Sequence, residues 1–229
     1  QRRQDAELRL AAMNFQLGDG GIIDNSGLLA MLQRRVRRIA WFMNTDTGLS
    51  SAVNFCQAGF VESGVDLTDL ASDELLDKFG RSPAPSEESL TFLSHNQVFG
   101  REELPSLLCE LQTLRATGKP AVAKRRLTVL RNDWWGIAGG FEVDVVFVYN
   151  EVCADFEARL PGETRQEVLR GRGSSPGGMF KRFPFYKTLF QNEGHALYLS
   201  EAQVNLLAAQ AEYAVLQNAE LFRQVFGRR

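Results

Sequence analysis

Residues 17–27 of the chain read LGDGGIIDNSG, and this stretch decides how the first part of the sequence is interpreted. Asp19 is followed by Gly20 and Gly21, which lack a Cβ atom and therefore permit a tight turn and the close approach of another loop. A carboxylate on such a turn is held in the way that a catalytic base requires. On the tripeptide alone, however, a turn without catalytic function is the simpler interpretation.

The residues that follow the turn predict one α/β unit. Asp24, Asn25 and Ser26 are favourable helix caps, and the leucines after them fall at helical spacing on one face. We predict a helix over residues 26–35 and a buried strand over residues 36–43, which is apolar apart from Arg37 and Arg38. Turn, helix and strand therefore follow one another without a gap.

A basic cluster marks the end of the predicted helix, and it consists of Arg34, Arg35, Arg37 and Arg38. Positive charge is favourable at the negative end of a helix dipole, so a solvated helix end is the simpler interpretation. A contact with phosphate or a lipid head group is the alternative.

Composition limits the remaining choices of function and compartment. With 229 residues, of which 44% are hydrophobic, the chain can bury a sizeable core, and we interpret residues 1–229 as one unit with a surface linker at 81–89. A formal net charge of -2 gives no bulk attraction to nucleic acid. The widely spaced Cys56, Cys109 and Cys153 predict reduced thiols and an intracellular, cytoplasmic location. No apolar run approaches the roughly 18 residues of a membrane span, so any membrane contact is expected to be peripheral.

Periodicity predicts the other elements and an α/β fold class. Helices are expected over residues 72–79, 102–117, 151–160 and 200–226, the last with one break. Strands are expected over residues 121–130 and 140–149, joined as a hairpin by a turn at residues 132–139.

The order of features over residues 15–45 resembles the aspartate-bearing motif of patatin-like and cytosolic phospholipase-type acyl hydrolases. The shared features are an apolar lead-in, Asp-Gly-Gly, two isoleucines, a leucine-rich helix, a basic helix end and an apolar strand. The resemblance implies a partial patatin-like sheet flanked by helices. It implies Asp19 as the general base of a Ser-Asp dyad, Gly20 and Gly21 as the turn that holds it, and Asp24 and Asn25 as local supports. It also implies a lipid or phospholipid substrate and no cofactor or metal.

The chain departs from the family pattern at the nucleophile. In the family, the serine of a Gly-x-Ser-x-Gly elbow and the oxyanion hole precede the aspartate, but the 18 residues before Asp19 contain no serine. We therefore expect this chain to be the C-terminal part of a catalytic domain and to be inactive by itself. The literal match GSSPG at residues 173–177 carries Ser175 but lacks a preceding strand and a following helix, so we interpret it as a loop. An independent hydrolase that uses Ser175 is a third hypothesis.

Aromatic and basic residues alternate over residues 180–190, FKRFPFYKTLF. A partly buried connector, with phenylalanines in the core and lysines in water, is the simpler interpretation, and a membrane-interface contact is the alternative. The neighbouring aromatics Trp134 and Trp135 carry the same two interpretations, and His95 and His195 are expected to be surface residues. The alternative function is accordingly a non-catalytic α/β module that binds a membrane or a protein.

Overall fold

The computed structural model describes residues 24–67, 69–81, 95–172, 177–186 and 199–227. Within these ranges the protein is a mixed α/β structure with a three-stranded sheet. Most of the predicted linker at residues 81–89 lies outside the described residues. None of the described helices has the length and apolar character needed to cross a membrane.

The described residues form three strands, seven α-helices and one 3-10 turn. The strands are β1 (Arg38–Met43), β2 (Val122–Val129) and β3 (Phe141–Tyr149). The helices are α1 (Leu28–Gln33), α2 (Asp73–Lys78), α3 (Leu104–Ala116), α4 (Ala154–Glu157), α5 (Gly162–Arg170), α6 (Glu201–Gln217) and α7 (Ala219–Phe226), and a 3-10 turn over Arg101–Glu103 precedes α3.

The sheet has the strand order β1-β3-β2. Strands β2 and β3 pair antiparallel, which confirms the predicted hairpin, and Val129 lies opposite Phe141 next to the turn. Strand β1 pairs with β3 in parallel, and Met43 lies opposite Tyr149 at their shared C-terminal edge. Because β3 is the central strand, most of its residues are buried, whereas β1 alternates between buried and more exposed positions.

Helices cover both faces of the sheet. One face packs against leucines of α1, α2 and α3, and its sheet residues include Trp41, Val145 and Phe147. The other face presents Val146 and Val148 to residues of α6 and α7. Side chains of β3 alternate between the two faces, as the two-residue period of a strand requires. The α1–β1 unit is therefore part of the main core.

The C-terminal helices differ in part from the prediction. Helices α6 and α7 are separated at Asn218, which confirms the single break expected within residues 200–226. The helix predicted over residues 151–160 is wrong in extent, because α4 has only four residues and α5 follows Pro161. The carboxylate of Glu151 accepts hydrogen bonds from the backbone N–H groups of Leu49 and Val152, so tertiary contacts fix the segment before α4.

The prediction of three reduced cysteines is wrong for two of them. Cys56 and Cys109 form a disulfide across a sequence separation of 53 residues, whereas Cys153 is a free, buried cysteine. The pairing depends on the loop after β1 packing on α3, where Gln112 donates to the backbone carbonyls of Ser50 and Val53. Spacing along the chain does not reveal such a contact.

Candidate functional site

The predicted catalytic turn is only partly described by the structure. Asp19, Gly20 and Gly21 lie outside the described residues, and so do Ser175 and His195. The described part of the motif begins at Asp24, five positions after Asp19 in the sequence. The described residues of the motif are its predicted local supports, Asp24 and Asn25.

Asp24 organises the start of α1. Its Oδ1 atom accepts from the backbone N–H of Ser26 at 3.2 Å and its Oδ2 atom from that of Leu29 at 3.0 Å, and the Ser26 hydroxyl also donates to Asp24. The Ser26 hydroxyl in turn accepts from Leu28 N–H at 3.0 Å. Gly27 adopts the left-handed conformation at φ 65°, which a glycine tolerates without a steric penalty. Asn25, the other predicted support, is exposed to solvent.

Lys78 forms a nearly buried ion pair with Asp24. Its Nζ atom lies 3.3 Å from Asp24 Oδ1, and the two side chains are 1% and 10% exposed. The backbone carbonyl of Lys78 also accepts hydrogen bonds from Val98 and Phe99. Since a buried charge requires a partner, this contact ties the entry of α1 to the end of α2. Sequence reasoning missed Lys78, because no local pattern distinguishes it from an ordinary basic residue at a helix end.

Glu74 lies one helical turn before Lys78 and adds a second carboxylate to this buried group. Burial raises the pKa of the Glu74 carboxyl, while the positive charge of Lys78 acts in the opposite direction and Asp24 acts in the same direction. One Glu74 oxygen, Oε1, has no hydrogen-bond partner among the described residues. The protonated form of Glu74 is thus favoured relative to a solvated glutamate.

A cavity of about 370 Å³ lies at the C-terminal edge shared by β1 and β3, on the face covered by α6. Its apolar wall includes Met43, Val148, Leu207, Ala211 and Ala214. In open α/β sheets, ligands bind outside the carboxyl ends of the strands, and this volume falls within the usual range of small-molecule sites. The cavity is therefore the described feature best suited to hold a ligand.

One end of the cavity carries a chain of side-chain amides. Asn150 donates to Asn44 Oδ1 at 3.2 Å, and Gln210 Nε2 donates to Asn150 Oδ1 at 3.3 Å and to the Glu151 carbonyl at 2.9 Å. Gln210 is 7% exposed, and its Oε1 atom has no hydrogen-bond partner among the described residues. The Gln210 Oε1 atom is inaccessible to solvent and therefore does not open onto the cavity, so the amide chain closes this end of it.

Glu151 lies beside this amide chain and also lines the cavity. Its carboxylate accepts from Leu49 N–H and Val152 N–H, each at 2.7 Å, and Arg115 Nε lies 3.3 Å from Oε1. Burial raises the pKa of Glu151, whereas these hydrogen bonds and the Arg115 charge lower it. Both oxygens are engaged by the protein, so the geometry gives Glu151 a structural role.

Cys153 also lines the cavity. Its Sγ atom lies 3.3 Å from the carbonyl oxygen of Gly118, and burial raises the pKa of the thiol. A thiol must ionise to act as a nucleophile, so this environment opposes reactivity. Cys153 is best described as part of the packed wall.

The remaining candidate residues lie at the surface or in the core. Arg34, Arg35, Arg37 and Arg38 are all exposed, but only Arg34 and Arg35 directly follow α1, as expected for a solvated helix end. Arg38 begins β1 and donates to the Val225 carbonyl. Phe180 and Phe183 are buried while Lys181 is exposed, as expected for a partly buried connector over the described part of residues 180–190. His95 is exposed and stacks on Trp134 with ring centroids 4.3 Å apart.

Comparison with models of known protein families, with curated proteins and with solved structures found no match in any of the three.

Proposed function

We propose that this chain is the C-terminal part of a serine acyl hydrolase that acts on lipids or phospholipids, with Asp19 as its general base. The observation that carries the proposal is the structure of the α1–β1 unit. Asp24, five positions after Asp19, is fixed by backbone hydrogen bonds at the start of α1 and by the buried pair with Lys78. A catalytic carboxylate needs rigid support of this kind, because small displacements from the productive geometry are costly.

In the proposed reaction, a serine supplied by sequence before this chain attacks the ester carbonyl carbon. Asp19 accepts the proton of the serine hydroxyl as the new C–O bond forms. The proton then passes to the leaving alcohol as the original ester bond breaks, which leaves an acyl-serine. In the second half, Asp19 accepts a proton from water, the hydroxide oxygen attacks the acyl carbon, and the serine leaves with that proton.

The sheet topology supports one part of this proposal, the position of a ligand site. The parallel strands β1 and β3 end at one edge, where open α/β sheets commonly place their ligands. The apolar cavity at that edge is chemically suited to an acyl chain.

The compartment is a separate part of the proposal. The proposal keeps peripheral membrane contact, but the Cys56–Cys109 disulfide removes the basis on which the cysteines predicted a cytoplasmic location, because such bonds are typical of oxidising compartments. Alkylation of free thiols in intact cells, followed by mass measurement of the native protein, decides this point. A mass with all three cysteines alkylated supports the cytoplasm, and a disulfide between Cys56 and Cys109 excludes the cytoplasmic location.

The test of catalysis uses the full-length protein and its Asp19→Asn variant. We expect fluorophosphonate labelling and ester hydrolysis in the parent protein and the loss of hydrolysis in Asp19→Asn. Asp155→Asn, at an exposed position on α4, is the matched control and should retain activity. Hydrolysis that persists in Asp19→Asn excludes Asp19 as the base. Full-length protein that binds phosphatidylcholine vesicles but hydrolyses no ester would support the alternative, a non-catalytic membrane-associated module.

A further inference from the structure

Strand β1 lies at an outer edge of the sheet, because β3 is the only strand that pairs with it among the described residues. We propose that this edge binds the same edge of a second copy of the chain, in antiparallel orientation, and so forms a symmetric dimer. The proposal concerns association of the protein. It stands whether or not Asp19 is catalytic.

The backbone of β1 presents hydrogen-bonding groups along this edge. The carbonyl groups of Arg37 and Met43 accept hydrogen bonds from the β3 side, so these residues direct their polar groups toward β3. The two-residue period of a strand then directs the N–H and C=O groups of Arg38, Ala40 and Phe42 away from β3. These groups have no backbone partner among the described residues. A row of this kind is a template for pairing with another strand.

The side chains of β1 leave its edge open to such pairing. After Arg38 the strand carries no charge, since residues 39–43 read IAWFM, and the side chain of Phe42 is 48% exposed. Strand β2 lies at the opposite edge of the described sheet and carries Lys124, Arg125 and Arg126. Charged side chains on an outer strand discourage edge-to-edge pairing. The edge of β1 is therefore the better suited of the two to receive a strand.

The sequence of β1 is complementary to itself in the antiparallel orientation. A two-fold axis at Ala40 places Arg38 opposite Phe42 of the second copy, and Ile39 opposite Trp41. Residues whose polar groups face each other across the axis exchange both of their hydrogen bonds. An arginine beside an aromatic ring is a favourable pair.

The charges of β1 also select this orientation over the parallel one. In a parallel pairing in register, Arg38 of one copy would lie beside Arg38 of the other, and like charges on neighbouring strands are destabilising. The antiparallel pairing separates the two arginines and brings Ala40 of each copy to the axis, where a small side chain permits close approach. Cyclic two-fold dimers use one self-complementary surface in this way.

The contact consists mainly of one strand from each copy, so it is smaller than the roughly 1,600 Å² of a standard stable interface. We therefore expect a dimer that dissociates on dilution. Sedimentation equilibrium of the full-length protein between about 1 μM and about 200 μM measures this association. The mean mass should rise from that of the monomer toward that of the dimer, and a monomer at every concentration overturns the proposal.

Two exposed apolar residues provide matched variants. Phe42→Lys places a cation opposite Arg38 of the second copy and should weaken association at least about tenfold. Leu169→Lys makes the same change in charge on α5, where Leu169 is 51% exposed, and should leave association unchanged. Equal effects of the two variants, or a dimer that persists in Phe42→Lys, overturn the proposal because they locate the contact elsewhere.

Cysteine cross-linking tests the register of the two strands without depending on the Phe42 variant. Facing Cα atoms in a hydrogen-bonded antiparallel pair are about 5.5 Å apart, which a disulfide can span. Under mild oxidation, Ala40→Cys should therefore form a disulfide between two copies. Arg38→Cys should not, because position 38 faces position 42 of the second copy, and the native free Cys153 is buried. Equal cross-linking of both variants, or none in Ala40→Cys, overturns the proposal.

Discussion

The Nζ atom of Lys78 lies 3.3 Å from the Oδ1 atom of Asp24, and this pair joins the end of α2 to the beginning of α1. Both side chains are almost completely removed from solvent. The contact connects the segment that follows the Asp-Gly-Gly turn to a helix about fifty positions later in the sequence. The support of the proposed catalytic turn is thus a tertiary feature.

Replacement of Lys78 by methionine should destabilise the protein strongly, because it leaves the Asp24 carboxylate buried without its counter-charge. Breaking a buried ion pair from one side typically costs about 3–5 kcal/mol. Because backbone N–H groups still donate to Asp24, we expect a loss at the lower end of that range. Urea unfolding measures this change. Lys124→Met is the matched control, since its Nζ atom lies 4.0 Å from Asp144 with both side chains partly exposed. Such surface pairs are worth at most about 1 kcal/mol, so equal losses in the two variants would contradict a special role for Lys78.

Removal of the Cys56–Cys109 disulfide should lower stability through the unfolded state. For a separation of 53 residues, the chain-entropy model gives a loss of about 4 kcal/mol. Thermal unfolding of the Cys56→Ser, Cys109→Ser double variant measures the effect. A Cys153→Ser variant controls for the loss of a cysteine that forms no disulfide. Titration of three free thiols in unfolded, unreduced protein would show that the disulfide is absent.

The pH dependence of stability should change in Glu74→Gln. Burial raises the folded-state pKa of Glu74 above its ordinary value of 4.5, so the folded protein holds this proton more tightly than the unfolded chain does. The contribution to stability is complete below 4.5 and is lost as the pH rises through the folded-state pKa. Glu74→Gln should therefore lose less stability than the parent between acidic and neutral pH. Urea midpoints across that interval measure the difference, with Glu163→Gln at an exposed position of α5 as control. Parallel curves for the parent and Glu74→Gln would refute the raised pKa.

Tyr149 provides a test of the C-terminal edge of the sheet. Its buried hydroxyl donates to the Thr47 carbonyl and accepts from Ser72 N–H, each at 2.8 Å. Tyr149→Phe leaves both backbone groups without this partner and should cost about 1–3 kcal/mol. Tyr213→Phe is the matched control, because Tyr213 is half-buried and its ring contacts are with Phe156 and Arg159. Denaturant unfolding should show a clear loss only for Tyr149→Phe, and unchanged stability would refute the bridging role of its hydroxyl.

The sequence by itself determined the elements that depend on short-range patterns. The alternation of apolar residues indicated the β2–β3 hairpin, and helical spacing indicated α3 and the C-terminal helices with one break within residues 200–226. The caps after the Asp-Gly-Gly turn indicated α1, since Asp24 and Ser26 satisfy its first N–H groups locally. These features need only neighbours within a few residues.

Tertiary structure alone decided which distant residues meet. The parallel pairing of β1 with β3, the Cys56–Cys109 disulfide, the Asp24–Lys78 pair and the Gln210 end of the cavity all join residues far apart in the chain. Local periodicity carries no information about such contacts, because they arise when separate apolar faces pack on one core. That packing turns an ordinary lysine into a buried counter-charge and an ordinary glutamine into an unpaired acceptor.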